Sequence, residues 1–241
     1  MMTLQAYLTP DPSLRDPLPS PELIPFTKRR RASRQINLHS KGSVRGYLHI
    51  NGHPTWYESE LEAKIALSFR ARPNVADIID QPPPVSFFDD SGIRRTHTFD
   101  WCVVETCGTR TLVAVKPLKL VERSGIRRVI ELVAEQLDPK IADFVVLATE
   151  QKLTRIDNFN AELIYSARRE TILDDDAIID GLIRKLRGPS SIGDLVEASG
   201  INGSGFRAIV RAIADRRLVL TAYCIIDADA VVQRGRSNND A

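Results

Sequence analysis

Glu58, Glu62, Asp100 and Lys116 lie in one stretch between Trp56 and Pro117, and together they hold the groups that metal-assisted phosphodiester hydrolysis needs. Carboxylates gather hard divalent cations through oxygen. A bound cation activates water and neutralises the scissile phosphate, and a lysine orients the water or stabilises the transition state. Taken singly, each residue also has a structural reading. Glutamates on a helix face are ordinarily solvated charges, and a lysine at a strand end reaches water along its aliphatic stem. Asp100, between Phe99 and Trp101, is harder to explain that way, because a carboxylate in an apolar strand needs a partner or a metal.

The elements that must position these groups follow from the hydropathy pattern. Tyr57, Leu61 and Ile65 repeat at helical spacing, which puts Glu58 and Glu62 on one helix face. Thr96–Val104, around Asp100, and Thr111–Pro117, around Lys116, are β-branched and apolar and predict two strands, with Gly108 closing a hairpin between them. A helix from about Arg127 to Gln136 completes an α-β-β-α order, and Phe144–Ala148 predicts a further buried strand. The expected class is α/β, with a restriction-endonuclease-like core built on a central mixed sheet. In that arrangement Asp100 and Lys116 sit on paired strands facing one cleft, and Glu58 or Glu62 approaches from the helix.

Five pieces in order, Val44–Tyr47, Tyr57–Glu62, Val75–Pro82, Thr98–Asp100 and Val115–Pro117, resemble the N-terminal domain of TnsA-family transposon endonucleases over roughly residues 40 to 150. The resemblance implies a magnesium-dependent cut, with manganese as a substitute, of one DNA strand at each transposon end. It also implies a transposase subunit and a regulatory ATPase as partners. Carried onto this chain, the catalytic residues fall on Glu62, Asp100 and Lys116, and the metal ligands on Asp100 and Glu62, with Glu58 as a neighbouring candidate. The family's glutamate or glutamine two residues before the lysine is Ala114 here, which has no ligand atom. Either Asp100, a glutamate and backbone carbonyls hold the metal, or the site is weakened and the protein is a DNA-binding adaptor in transposition or recombination.

The charge of +2 is unevenly distributed. Lys28, Arg29, Arg30, Arg31, Arg34, Lys41 and Arg45 occur with no acidic residue among them, a segment suited to DNA phosphates. Residues 1–27 form a proline-rich arm, 28–170 the nuclease-like domain with its basic lead, 171–232 a C-terminal domain and 233–241 a polar tail. The C-terminal domain carries helix, helix, turn, helix and strand signals, the pattern of a winged helix-turn-helix, with Arg207 and Arg211 on the expected recognition helix. Cys102, Cys107 and Cys224 fit neither a disulfide framework nor a zinc motif. With no membrane-length apolar run and no signal-peptide pattern, the expected location is cytoplasmic.

Overall fold

The computed structural model describes residues 44–235. It divides into two compact units, the first running through Phe69 and from Asn74 to Leu153, the second comprising Arg70–Pro73 and everything from Thr154 onward. Sequence reading put the boundary near 170. The 15 residues Arg155–Arg169 just before that boundary form a helix that belongs to the second unit.

The first unit opens with a hairpin of β1 (Gly46–Ile50) and β2 (His53–Tyr57). Asn51 and Gly52 both have positive φ, as a two-residue turn between twisted strands requires. Helix α1 (Glu60–Arg70) leads to β3 (Val75–Asp80), and the hairpin β4 (Val85–Phe88) with β5 (Arg94–His97) follows. Then come β6 (Trp101–Glu105), β7 (Arg110–Val115), α2 (Leu118–Ser124), α3 (Ile126–Gln136) and β8 (Phe144–Ala148). The central sheet has the order β3-β6-β7-β8 and is mixed, its first two pairings antiparallel and β7–β8 parallel. A parallel pair cannot be joined by a tight turn, and α2 and α3 supply the crossover.

Strand alternation sorts the sheet's two faces. Cys102, Val104, Leu112, Ala114 and Val145 pack with Val121, Ile126, Ile130 and Val133 of α2 and α3 into one apolar cluster. Trp101, Val103 and Val113, pointing the other way, are buried as well. A sheet covered on both faces explains why β6 and β7 read as continuous apolar runs rather than alternating ones.

The second unit holds α4 (Arg155–Arg169), α5 (Leu173–Lys185), β9 (Ser190–Ser191), α6 (Ile192–Ser199), α7 (Asn202–Ala214), β10 (Leu218–Leu220) and β11 (Val231–Arg234). Its small antiparallel sheet has the order β10-β11-β9. Thr154 and Asp157 form a reciprocal capping box at the start of α4, and Ser191 caps α6 by accepting from Asp194 N at 3.0 Å. Asp174, Asp175 and Asp176 occupy the first turn of α5 rather than its cap, where they complement the helix dipole. Gly205 lets α7 approach the end of α6 closely, since a Cβ there would stand 2.6 Å from Ser199 Oγ. Helix α7 is the core of this unit, with Ala208, Ile209, Val210, Ala212 and Ala214 all buried.

Candidate active site

Asp100 and Lys116 lie just outside the strands expected to carry them. The chain bends at Asp100, immediately before β6, so Thr96–Val104 is two strands and not one. Asp100 N donates to Val113 O at 3.0 Å, continuing the β6–β7 ladder by one step. By alternation, Asp100 then shares a sheet face with Ala114. Its Oδ2 accepts from Val115 N at 2.6 Å, so the carboxylate grips the backbone next to Lys116. Lys116 is held from the other side as well. Its N–H donates to Ala148 O at 3.0 Å, and the carboxylate of Glu150 accepts from Leu118 N at 3.1 and 2.9 Å.

The two glutamates do different things. Ser59 is the first residue before α1, and Glu62 is bound up in capping that helix. Glu62 N donates to Ser59 Oγ at 3.2 Å, Ser59 Oγ–H donates to Glu62 Oε1 at 2.8 Å, and Glu58 N donates to Glu62 Oε2 at 2.7 Å. The Ser-x-x-Glu spacing of Ser59 and Glu62 is a capping-box signature legible in the sequence. Glu58 precedes the helix and shares no helical face with Glu62; its Oε1 accepts from Gln81 Nε2 at 3.0 Å.

Sequence reading singled out neither Gln81 nor His97. Gln81 follows β3 and is only 5% exposed. Its backbone N–H donates to Asp100 O at 2.9 Å, and its φ of 42° is left-handed, which costs a non-glycine residue about 1–2 kcal/mol. The preceding Asp80, also buried, accepts from Trp56 N at 3.3 Å and thereby brings the β1–β2 hairpin, and Glu58 with it, to the end of β3. His97 packs edge-on against Phe99, with ring centroids 4.7 Å apart, and its Nε2 is buried without a hydrogen-bond partner. Burial, and then the nearby Lys116 ammonium, hold its imidazole below the usual 6.5. The only sequence signal was its place three residues before Asp100.

The set Glu58, Glu62 and Asp100 does not converge into a ready metal site. Among the described residues no group of three or more His, Cys, Asp or Glu side chains gathers closely enough to hold an ion. Glu62 is engaged at its helix cap, and Ala114 is 3% exposed inside the apolar cluster. Glu58, Gln81 and Asp100 are neighbours, Gln81 bonding Glu58 through its side-chain amide and Asp100 through the backbone, while the Asp100 carboxylate is turned to Val115 N. All three are hard donors of the kind magnesium takes.

The expected DNA contact at Arg211 is corrected. The residue is 4% exposed, its guanidinium pairs with Asp176 at 2.7 Å, and its Nη1 donates to the carbonyls of Ala167 and Glu170 at 3.1 Å each. Arg207 is exposed and pairs with Glu170 at 2.6 Å. Beyond Arg207, no residue of α7 is exposed. Arg45 is half-buried at the start of the first hairpin. Lys28, Arg29, Arg30, Arg31 and Arg34, with the proline-rich arm and the tail after 235, lie outside the described residues. Cys102 is a buried core thiol that desolvation pushes up to about 11. Among the described residues no helix is long and apolar enough to cross a membrane.

Compared with protein-family models and with curated proteins, the chain matches none.

Proposed function

We propose that this protein is a metal-dependent DNA endonuclease resembling the TnsA family, cutting one strand at transposon ends beside a transposase subunit and a regulatory ATPase. The observation that carries the reading is the Asp100 carboxylate bound to the backbone of Val115, immediately before Lys116. It joins the acid and the lysine at one end of the β6–β7 pair, and Gln81 ties Glu58 to the same place. The mixed sheet with its α1-β6-β7-α3 sequence fits a restriction-endonuclease-like core. The order β10-β11-β9 around α5, α6 and α7 fits a winged helix.

On this reading Asp100 and Glu58 would hold the cation, magnesium or manganese, which would supply water activation and charge neutralisation at the phosphate. Lys116 places its ammonium against the charge that grows on the phosphoryl oxygens. His97 keeps a neutral ring beside that ammonium. The winged-helix unit serves protein contacts, because the buried α7 spends Arg211 internally. Affinity for DNA backbone then falls to the basic segment 28–41.

Ala114 favours a second reading, the DNA-binding adaptor with a weakened nuclease site, because its buried methyl group offers no ligand atom. Calorimetry with magnesium and manganese, together with cleavage of transposon-end DNA in the presence of the partner proteins, separates the two. The nuclease reading expects metal binding and cleavage that both disappear in Asp100→Ala. Absence of metal binding in the wild type, with cleavage gained in Ala114→Glu, would establish the adaptor instead.

A further inference from the structure

We propose that the exposed face of α2 is a second DNA contact, with Lys119 and Arg123 binding two phosphates of the strand whose scissile phosphate lies against Lys116. The inference rests on the nuclease reading, which supplies Lys116 and its phosphate, and extends that site along the DNA.

Helix geometry places the row. Val121 is the buried residue of α2. At about 100° per residue, Lys119 and Arg123 each stand about 160° around the helix from it. Both side chains therefore project away from the protein, and both are exposed. Being four apart, they are separated by about 6 Å along the axis, which gives each room for a phosphate of its own. The row is also fixed to the candidate site. Helix α2 begins directly after Pro117, and the bonds of Lys116 N to Ala148 O and of Leu118 N to Glu150 hold the chain on both sides of that proline.

Charge decides the partner. Glu122 is the acid of α2, and it is turned to Arg127 at 3.2 Å. Among the described residues neither Lys119 nor Arg123 pairs with an acid. The cations at the start of α3 are matched, Arg127 by that glutamate and Arg128 by Asp90 and Glu131. Two open cations beside a lysine set for phosphoryl chemistry suit a polyanionic backbone. Phosphate contacts of this kind fix register on the duplex without reading its sequence. The basic segment 28–41 adds affinity, whereas a row on a helix pinned beside Lys116 selects which phosphate reaches that lysine.

The test uses the full chain and duplex DNA of arbitrary sequence without divalent cation, so that neither cleavage nor metal binding enters. Binding is followed by fluorescence anisotropy across a salt series. The double variant Lys119→Gln, Arg123→Gln is expected to lower the slope of log affinity against log salt by about 2, at about 0.9 per phosphate contact. Arg128→Gln removes the same charge from a matched cation nearby and is expected to leave the slope unchanged. Thermal unfolding checks that each variant is folded, and the two single variants, each expected to lower the slope by about 1, carry the test if the double variant unfolds. Wild-type binding with an unchanged slope in the double variant would overturn the α2 contact and leave the nuclease reading standing; the row, with the exposed Leu118 and Leu120 beside it, would then be a surface for a protein partner. A fall of about 1 in Arg128→Gln as well would also overturn it, as a general effect of charge. No DNA binding by the wild type would overturn both readings.

Discussion

At the scale of single residues, geometry separates groups that look equivalent in the sequence. Glu58 and Glu62 are four apart, yet Glu62 closes a cap on its own helix while Glu58 reaches across to Gln81. Glu62→Ala is therefore expected to lower stability by about 1 kcal/mol through the lost cap and to leave manganese affinity within about twofold. Glu58→Gln is expected to cut that affinity about tenfold with little change in unfolding; titration and urea denaturation of the two variants check this, and the reverse pattern would restore Glu62 as the ligand. His97 gives a pH signature. Its folded pKa lies below the unfolded value of 6.5, so the unfolded chain takes up the proton more readily. The stability tied to its neutral form is complete above that value and is lost as pH falls through it. The melting temperature is expected to fall more steeply from about pH 7 to about pH 5 in the wild type than in His97→Gln, a window above the carboxylate range.

At the scale of elements, α7 shows how burial overrides a pattern. Four arginines at or beyond Arg207 suggest a helix made for phosphates, but α4, α5 and α6 pack around it, and the acids on α5 take up the charges at Arg211 and Arg217. Arg211→Met is expected to destabilise the protein by about 3 kcal/mol, because Asp176 and two carbonyls lose a buried partner. Arg207→Ala, which breaks an exposed pair, is expected to cost less than about 0.5 kcal/mol. Urea denaturation gives both numbers, and a DNA-binding assay on the same proteins tests whether either arginine meets DNA. A loss of affinity in a fully folded Arg211→Met would return α7 to the DNA interface.

At the scale of the whole molecule, charge is segregated along the chain. The described residues carry slightly more acids than bases, and the surplus of positive charge comes from residues 28–41. Each phosphate neutralised contributes about 0.9 to the slope of log affinity against log salt. Replacing Lys28, Arg29, Arg30 and Arg31 by alanine is expected to weaken DNA binding and reduce that slope by up to about 3–4. A slope left unchanged in a salt titration would show that the basic run stays off the DNA.

Hydropathy was enough to read β8 to the residue, the β6–β7 hairpin, helix α3 within one residue of its start, and the mixed α/β class, because each of these buries a face whose periodicity is written locally. The Asn51–Gly52 turn and the Ser59–Glu62 cap are equally local signals, each carried by neighbouring residues. The break before Asp100 was not legible, since a bend in a β-branched apolar run leaves the composition unchanged. Nor was the length of α4, whose buried face shows only against α7. The partners of Gln81 lie 23 and 19 residues away in the chain, at Glu58 and Asp100. Which residues become neighbours is a matter of strand register and of one left-handed residue, and the folded chain alone brings them together.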